Sequence, residues 1–489
     1  MLRVSARRPF GRLASFRSLV SPFSQEIHSI QIRDVKEAGD WLEGLINVEK
    51  RPDIAHARLG LGPIQALLER LDNPHDGLRF IHIAGSKGKG STALLAEAVL
   101  EAAGVRVGTF TSPHLERWTE RVRIGGREVD GPPLAAAVER VRPHVEAMRD
   151  RDPSQPPTFF DATTAAALVC FREAGVELAI LEVGLGGRLD STNVVTPVVA
   201  CITSIELEHT ETLGDSLAAI AGEKAGILKP AVAAVIGVLP QEAAAVVRVR
   251  AAEVGIEPAW AGDAFAAEVL EEGPDGSMLR MRDGDVVFDA RLPLLGRHQV
   301  GNAALALACV RRALDLDDTF VSAAIQGLAA VTLPGRIERL ERDPCVLVDG
   351  AHTLASAQAL ASVLRRIERR RTHLVLSISA GKDTASILAS LVPLADEVTV
   401  TRAEPTRSLS PTEIGRAVRE VAPDVAVRVV PNPQLAVRAA YHRLEAGDCL
   451  CVTGSVYLAG IARRILRQPR SAADVAVSRN PAEMRREAD

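Results

Sequence analysis

Short apolar runs alternate along this chain with longer segments whose apolar positions recur at the period of a helix. The run RFIHIAG, at residues 79–85, predicts a buried strand because almost every position is apolar. It is followed by STALLAEAVLEAAG, which predicts a helix that ends at Gly104. Further strands are predicted at RVGTFT, ELAILEVG, VVACITSI and VAAVIGV, and a further helix at TTAAALVCFREAG. This alternation favours a parallel β-sheet covered by helices.

The pattern changes between about residue 240 and residue 292. There, MLRMRDGDVVFDARLPL holds two alternating runs on either side of Asp283 and Gly284, which predicts a β-hairpin. A helix is predicted next at QVGNAALALACVRRAL, and the turn-forming LPGR at residues 333–336 opens a second α/β series. The strands of this second series are predicted at CVLVDG, HLVLSIS, EVTVTR, AVRVVP and CLCVTG.

We therefore predict two α/β domains with one cleft between them. The predicted divisions are an extension at residues 1–28, a first domain at 29–332, a second at 333–470 and a tail at 471–489. In open parallel sheets, ligands collect at the carboxyl ends of the strands. The functional side chains are therefore expected directly after the strands.

Composition narrows the classes of function. The formal net charge of −4 and the absence of a dense Lys/Arg stripe with aromatic residues argue against a nucleic-acid partner. No apolar run reaches the length of a membrane span, so no membrane partner is expected. The six cysteines are scattered, several of them inside apolar runs, which indicates buried free thiols. No dimer seam stands out, so we expect a monomer.

The two ends of the chain differ from the rest. Residues 1–25 contain five arginines, five serines and no acid, a composition that resembles an organelle transit segment. We favour the alternative of a disordered extension or a misplaced start codon, because nothing else indicates an organelle. A cytoplasmic location is therefore expected, with a mitochondrial one as the alternative. The charged tail from about residue 471 lacks an apolar period and is predicted to be disordered.

The segment HIAGSKGKGST, at residues 82–92, lies between the first predicted strand and helix. It contains three glycines, at Gly85, Gly88 and Gly90. Glycines allow backbone amides to approach an anion, and the N-terminus of the helix adds partial positive charge. Lys89 can contact phosphates, and Ser91 or Thr92 can cap the helix. The segment therefore predicts a nucleotide site, with a glycine-rich turn bearing surface lysines as the alternative.

Polar side chains follow three predicted strands: Ser112 follows RVGTFT, Glu182 ends ELAILE, and His209 follows VVACITSI. Together they could hold Mg²⁺ near a triphosphate, although magnesium prefers oxygen ligands. Separately, they could be a turn residue, a member of an ion pair and a helix-start residue. Lys224, in AGEKAGILK, could form a salt bridge. With a pKa lowered by burial it could instead react with CO₂ to form a carbamate, an anionic metal ligand.

Many motifs occur in one order from about residue 40 to residue 468. They include LDNPHDGLRFIHIAGSKGKGST, TSPHLERWTERVRIGG, TFFDATT, ILEVGLGGRLDSTNVV, HTETLG, EKAGILK, GRHQVGNA, LPGRIE, VLVDGAH and VTGSVYLAG. In these motifs the chain resembles the folylpolyglutamate synthase and bifunctional dihydrofolate synthase family of the Mur ligase superfamily. In that family the phosphate loop also carries a glycine between the lysine and the hydroxyl residue.

The resemblance implies a P-loop ATPase-type domain with a parallel sheet, similar to the central domain of Mur ligases, and a smaller Rossmann-like C-terminal α/β domain. It also implies an ATP- and Mg²⁺-dependent ligase. Such an enzyme phosphorylates a substrate carboxylate to an acyl phosphate, which the amine of L-glutamate then attacks. The carboxylate substrate would be a folate, and dihydropteroate in bifunctional members.

The resemblance also assigns residues. The implied ATP-binding residues are Gly85, Gly88, Lys89, Gly90, Ser91, Asn302, Arg336, Asp349 and His352. The implied magnesium ligands are Ser112, Glu182 and His209. Lys224 matches a lysine that is carbamylated in the family, and Lys89, Lys224 and His209 are the implied catalytic residues. The implied pterin-side residues are Thr158, Phe159, Phe160, Asp161 and Asp190.

The chain departs from the family pattern at several positions. Lys87 stands where the family commonly has Asn, Glu208 where it has Asp, Asp161 where it has Glu, and Thr353 where it has Asn. Arg58 stands where members that use dihydropteroate tend to carry an acid, which bears on the dihydrofolate synthase step. Two alternatives to a folate ligase stay open. These are a Mur-type ligase for a non-folate carboxylate and a non-catalytic ATP-binding paralogue.

Overall fold

A computed structural model of the protein describes residues 32–47, 60–314 and 319–467, which form three β-sheets. The predicted N-terminal extension, the predicted tail and Arg58 lie outside the described residues. Within the part that is described, no helix is long and apolar enough to cross a membrane.

The largest sheet has eight strands in the order β4-β3-β2-β5-β1-β6-β7-β8. Its strands are β1 (Arg79–Ala84), β2 (Val107–Phe110), β3 (Val122–Ile124), β4 (Arg127–Glu128), β5 (Leu178–Glu182), β6 (Val199–Ile202), β7 (Ala233–Ile236) and β8 (Ala259–Trp260). From β2 to β8 all pairs are parallel, which confirms the predicted parallel sheet. The short β3 and β4 extend one edge in antiparallel pairing and were not predicted, because two or three residues carry no periodic signal.

Helices cover both faces of this sheet. They are α1 (Val35–Glu43), α2 (Gly62–Arg70), α3 (Lys89–Ala102), α4 (Gly131–Arg151), α5 (Phe159–Glu173), α6 (Thr210–Leu213), α7 (Leu217–Ala225), α8 (Gln241–Val254), α9 (His298–Ala313) and α10 (Thr319–Ala330). Alternate residues of β1 enter different cores. Ile81 and Ile83 pack with α3, α9 and α10, whereas Phe80 packs with α2, α4 and α5. The continuous apolar run in β1 therefore reflects burial on both faces.

A three-stranded antiparallel sheet interrupts the α/β order. It contains β9 (Phe265–Gly273), β10 (Gly276–Asp283) and β11 (Val286–Leu292). Asp283 pairs with Val286 across the turn, which confirms the predicted hairpin. The third strand, β9, was not predicted, because most of its residues are partly or fully exposed and its apolar alternation is weak.

The second α/β unit has a six-stranded sheet in the order β12-β13-β17-β14-β15-β16. Its strands are β12 (Glu338–Arg342), β13 (Cys345–Val348), β14 (Thr372–Leu376), β15 (Glu397–Val400), β16 (Ala426–Val429) and β17 (Cys449–Thr453). Its helices are α11 (Leu354–Leu364), α12 (Thr384–Leu391), α13 (Pro411–Val421), α14 (Pro433–His442) and α15 (Val456–Leu466). The five predicted strands are all present and parallel, and the antiparallel edge strand β12 was not predicted. The exact domain limits stay a prediction.

All six cysteines are buried and none forms a disulfide, as the sequence predicted. Each lies within the described residues and packs as a small apolar side chain. They therefore contribute to the cores of both domains.

Gly327 generates a prediction about the packing of α10 on α3. A Cβ atom at Gly327 would lie 2.6 Å from the carbonyl oxygen of Ala98, which is backbone and cannot move aside cheaply. We expect Gly327→Ala to lower the free energy of unfolding by about 1–3 kcal/mol through overpacking. Urea denaturation followed by circular dichroism measures this change.

The matched control is Gly301, an exposed glycine inside α9 with no atom near its absent Cβ. Gly301→Ala should raise the free energy of unfolding by up to about 1 kcal/mol, because alanine has the higher helix propensity. If the two variants change stability equally, the close approach of α10 to α3 is not what requires glycine.

Candidate active site

Four adjacent parallel strands, in the order β2-β5-β1-β6, end at the same edge of the large sheet. Ser112 follows β2, Glu182 ends β5, the glycine-rich loop follows β1, and residues 203–209 follow β6. The sequence placed its candidate residues after these strands, and the sheet order brings these strand ends side by side. The candidate site of the first domain lies at this edge.

The glycine-rich loop joins β1 to α3 and is shaped by two glycines. Gly88 has φ +85° and is the N-cap of α3, whose first residue is Lys89. Gly85 has φ +148°, and a Cβ there would overlap the Thr203 hydroxyl, which donates to the carbonyl of Lys87 at 2.6 Å. The expectation that Ser91 or Thr92 caps the helix is wrong, because both lie inside its first turns. The amides at the start of α3 therefore face the loop without a side-chain cap.

Two further side chains border this loop. The Lys89 ammonium donates to the carbonyl of Gly85 at 2.9 Å, so it curls over the loop. Asn302 of α9 lies so close to Gly88 that a Cβ there would overlap the Asn302 amide oxygen. The amide nitrogen of Asn302 donates to Gln299 at 2.8 Å, which fixes its orientation. Asn302 thus borders the loop that the sequence predicts for phosphate.

Glu182 is 5% exposed, and one of its oxygens accepts the backbone N–H of Ser112 at 3.0 Å. Burial raises the pKa of this carboxyl, and the positive charge of Lys89 opposes the increase. Among the described residues it has no ion-pair partner. A buried carboxylate without a paired cation is costly, and a bound cation would remove that cost. The burial and lack of an ion-pair partner of Glu182, among the described residues, are therefore what a magnesium ligand would show.

His209 follows β6 in a left-handed conformation, with φ +47°, and is exposed. No group of three His, Cys, Asp or Glu residues that could hold a metal occurs in the described part of the chain. The predicted ligand set contains two such residues, Glu182 and His209, with the hydroxyl of Ser112 as the third group. Such a small set of protein ligands suits Mg²⁺, which usually keeps waters and phosphate oxygens in its coordination sphere.

A lysine–glutamate–lysine cluster lies beneath the loop. Lys224 is 2% exposed and donates to Glu208 at 3.0 Å and to the carbonyl of Gly85 at 3.1 Å. Lys87 donates to the other oxygen of Glu208 at 3.3 Å. Two of the departures from the family pattern, Lys87 and Glu208, therefore pair with each other. Lys87 is therefore paired with a carboxylate and does not extend freely into solvent.

The pKa values of Glu208 and Lys224 are both lowered, for different physical reasons. Burial alone would raise the pKa of Glu208, but Lys224, Lys89 and Lys87 outweigh it and bring the pKa to about 2. Burial lowers the pKa of Lys224 to about 8, although Glu208 opposes the decrease. A lowered pKa enlarges the fraction of neutral amine, the form that reacts with CO₂. Carbamylation of Lys224 stays a prediction.

The second domain contributes the turn that carries Arg336. Asp349, at the end of β13, is 6% exposed and accepts the backbone N–H groups of Ile337 and Ala351, both at 2.8 Å. The first of these bonds holds Ile337 in a left-handed conformation, with φ +46°. The positive charge of Arg336 opposes the burial-driven increase in the pKa of both Asp349 and Glu182, so the guanidinium lies within electrostatic range of a carboxylate in each domain.

His352 lies on the loop that follows Asp349. Burial lowers the pKa of His352 to about 4, so the ring is neutral near pH 7. Its Nδ1 lies 2.8 Å from the carbonyl oxygen of Gly350, and a neutral ring must donate that hydrogen bond. The other ring nitrogen, Nε2, is therefore left as an acceptor.

The predicted pterin-side residues separate into two groups. Thr158 caps α5, and the Asp161 carboxylate accepts from the N–H and hydroxyl of Thr158 and from the hydroxyl of Ser191. Phe159 is 1% exposed and packs against Trp118, with ring centroids 5.6 Å apart. These contacts fix the start of α5 against Ser191 and Trp118, and a direct substrate contact for Phe159 and Asp161 stays a prediction.

Phe160 and Asp190 lie at the loop after β5. A Cβ at Gly184 would be 2.5 Å from the ring of Phe160, so the glycine lets the ring lie on the loop backbone. The Asp190 carboxylate accepts from the N–H groups of Gly184 at 3.1 Å and Leu185 at 2.9 Å, and from the N–H and hydroxyl of Thr192. These four bonds fill its acceptor positions. Asp190 fixes the loop, and its contact with a substrate stays a prediction.

Sequence reasoning missed the support beneath Asp190. His82 of β1 is fully buried, and its Nε2 lies 2.8 Å from the Thr192 hydroxyl, which itself donates to Asp190. Burial lowers the pKa of His82 to about 3, so the ring is neutral and Nε2 carries the proton that Thr192 accepts. The sequence feature that could have indicated this role is a histidine inside an otherwise apolar strand.

Two protein-family comparisons match this chain. Residues 83–310 match the Mur ligase middle domain, and residues 335–456 match the Mur ligase glutamate ligase domain. A Mycobacterium tuberculosis protein named dihydrofolate synthase/folylpolyglutamate synthase is 34% identical over 465 residues, covering 87% of this chain and 94% of that protein. A Haloferax volcanii protein named probable bifunctional folylpolyglutamate synthase/dihydropteroate synthase is 36% identical over 414 residues. That alignment covers 83% of this chain, which spans about half, 48%, of the archaeal protein.

Solved structures agree with these matches. A Mycobacterium tuberculosis folylpolyglutamate synthase complexed with ADP has a TM-score of 0.80 at 33% identity, covering 89% of this chain and 99% of that one. Escherichia coli FolC in complex with DHPP and ADP has a TM-score of 0.77 at 29% identity, covering 89% of this chain and 98% of that one. The predicted fold class, a Mur ligase-type parallel-sheet domain followed by a separate α/β domain, is confirmed.

Glu208 generates a prediction about stability, because within residues 32–47, 60–314 and 319–467 it is the one acid that pairs with the buried Lys224. We expect Glu208→Gln to lower the free energy of unfolding by about 3 kcal/mol, since it leaves an unpaired buried cation. Urea denaturation at pH 7 measures the loss.

The comparison variant is Lys87→Asn, which removes the more exposed partner of the same carboxylate. Its cost should be under about 1 kcal/mol, because a partly exposed pair contributes little. A larger loss of unfolding free energy in Lys87→Asn than in Glu208→Gln would contradict the idea that the buried Lys224 needs Glu208 as its counter-charge.

Proposed function

The chain belongs to the folylpolyglutamate synthase/dihydrofolate synthase family of Mur ligases, and on that premise we propose that it is an ATP-dependent ligase joining L-glutamate to a folate. One observation carries the proposal. The glycine-rich loop and the unpaired, buried Glu182 end adjacent strands of one sheet, and Arg336 of the second domain reaches the same cleft. This arrangement suits a triphosphate, a cation and a reacting carboxylate.

The proposed reaction has two steps. The terminal phosphoryl group of ATP moves to the substrate carboxylate, which gives an acyl phosphate and ADP. The amine of L-glutamate then attacks the acyl carbon, an amide bond forms, and phosphate leaves. In this proposal the amides at the start of α3 and the Lys89 ammonium hold the phosphates, with the side chain of Asn302 keeping the loop in place.

Ser112, Glu182 and His209 are proposed to hold Mg²⁺. When bound, the ion would screen the negative charge that develops on the phosphate oxygens. The buried, unpaired carboxylate of Glu182 supports this assignment. A carbamate on Lys224 would add negative charge next to Glu208, so the modified residue would have to exchange that partner for a cation.

The second domain is proposed to complete the site. Arg336 would contact the nucleotide, and the neutral ring of His352 would line the same cleft with an acceptor nitrogen. Asp349 would act through the turn that it holds. An acyl phosphate reacts with water, so a cleft that closes between two domains would protect it until the amine attacks.

The carboxylate substrate is proposed to lie along the loop after β5. Phe160 stacks on the backbone of Gly184 there and offers an aromatic ring near Thr158. We propose a folate as the main substrate and dihydropteroate as a second one. We also propose that the protein acts as a monomer in the cytoplasm.

The identity of the substrate can be tested directly. Purified protein with ATP, Mg²⁺ and L-glutamate should release phosphate when tetrahydrofolate is present, and the product should gain one glutamate by mass spectrometry. Dihydropteroate in a parallel assay decides whether the second activity exists. Equal phosphate release without any pterin substrate would contradict the folate assignment and favour a ligase for another carboxylate.

Lys89 provides a test of the phosphate loop. We expect Lys89→Ala to lower kcat by at least about a hundredfold, because it removes a cation aimed at the transferred phosphate. Steady-state kinetics with the pterin substrate measures the loss. Lys87→Ala is the matched variant in the same loop, and it should lose far less activity since Lys87 is engaged by Glu208. Equal losses would contradict separate roles for the two lysines.

A further inference from the structure

Arg463 of α15 is 4% exposed and contacts two carboxylates at the boundary between the domains. Its Nε donates to Glu338 at 2.6 Å, and its Nη2 lies 3.3 Å from the other oxygen of the same carboxylate. Its Nη1 donates to Glu116, which belongs to the first domain. A buried guanidinium is costly unless paired in this way. One side chain thus connects two domains at a point where water is excluded.

On the first-domain side, Arg463 contacts the segment of residues 112–117, here called the Ser112 loop. Glu120 fixes the shape of this loop by accepting the N–H groups of Leu115 at 2.6 Å, Glu116 at 3.0 Å and Arg117 at 2.9 Å. The loop begins at Ser112, the proposed magnesium ligand, whose own N–H donates to Glu182. Fixing Glu116 therefore restrains the loop whose first residue faces the metal position.

Two glycines of the second domain receive this loop. A Cβ at Gly460 of α15 would overlap the carbonyl oxygen of Leu115. A Cβ at Gly335 would lie 3.0 Å from the side chain of Leu115. Leu115 is therefore clamped between α15 and the turn that precedes β12, so contact between the domains is close at this point.

On the second-domain side, the Glu338 carboxylate that pairs with Arg463 also accepts the N–H of Gly335 at 2.8 Å. Gly335 directly precedes Arg336, the proposed ATP contact. The carbonyl of Gly335 in turn accepts the N–H of Gly350 at 2.9 Å, which ties the turn to the loop of His352. Arg463 therefore reaches Arg336 through one carboxylate and Ser112 through the other.

We propose that Arg463 is a positioning residue that couples docking of the two domains to the simultaneous placement of Ser112 and Arg336 at the nucleotide. The proposal rests on the proposed ATP-dependent ligase function. Glu116 contacts Arg463 only when the domains are docked. Docking therefore positions Ser112 and Arg336 at the nucleotide at the same time. A purely structural ion pair would stabilise the fold without affecting the nucleotide.

The test uses the full chain, three single variants and the double variant that combines the first two. Arg463→Met removes the guanidinium while keeping a long side chain, and Glu116→Gln removes the charge from the first-domain side. Arg464→Met is the matched control, because Arg464 is exposed on the same helix and makes one long contact, 3.5 Å, to the Glu116 carbonyl. Isothermal titration calorimetry measures the binding of AMPPCP, a non-hydrolysable ATP analogue, with Mg²⁺ and with EDTA.

Arg463→Met and Glu116→Gln should each weaken binding of Mg²⁺-AMPPCP by about five- to tenfold, the lower end of the coupling that is usual between separated sites. Their effects should be smaller in EDTA, because the contribution through Ser112 needs the metal. The double variant should lose little more than either single one, since both act through the same contact. Arg464→Met should bind like the unmodified protein.

Three results would overturn the proposal. They are unchanged Mg²⁺-AMPPCP affinity in Arg463→Met despite a lower unfolding temperature, additive losses in the double variant, and an equal loss in Arg464→Met. If Arg463→Met does not fold, Glu116→Gln decides by the same criteria. Failure of the unmodified protein to bind AMPPCP at all is a different outcome, which would reject the proposed ATP-dependent function itself.

Discussion

Two carboxylates at one sheet edge, the buried Glu182 and the partly buried Glu208, receive unequal compensation from neighbouring positive charges. Glu208 has two lysine partners, Lys87 and Lys224, whereas Glu182 has a single backbone N–H within the described residues. Because an uncompensated carboxylate is costly in a buried position, the difference identifies where positive charge is still required. The glycine-rich loop that begins α3 follows the neighbouring strand β1, and the positive charge of Arg336 also acts on Glu182.

Other acids of the site accept hydrogen bonds from backbone N–H groups. Asp349 accepts from the turn of Arg336, Asp190 from the loop after β5, and Glu120 from the Ser112 loop. Each bond from a backbone N–H to a carboxylate fixes a loop that has no regular ladder of its own. An acid after a strand is therefore a weak predictor of a ligand contact. The count of hydrogen bonds that the acid already accepts separates supporting residues from those free to bind.

The sequence was sufficient where structure depends on neighbours in the chain. The strand–loop–helix unit around Lys89, the hairpin at Asp283 and most of the parallel strands in both large sheets followed from local apolar patterns and turn residues. It was insufficient where contacts join distant segments. Lys87 and Glu208 are 121 positions apart, and their pairing could be known only once β1 and β6 were adjacent. The short edge strands and the role of the buried His82 could not be predicted for the same reason, because both depend on neighbours from other segments of the chain.

The proposed site draws its residues from both domains. Arg336 and His352 belong to the second domain, whereas the glycine-rich loop and Glu182 belong to the first. A ligase of the family to which the chain belongs must keep an acyl phosphate from water until the amine arrives, so the cleft has to close before the phosphoryl group moves. A boundary sealed by apolar packing alone would restrain closure without orienting either side. Arg463 provides a directional link, because its fixed geometry positions Glu116 and Glu338 relative to each other.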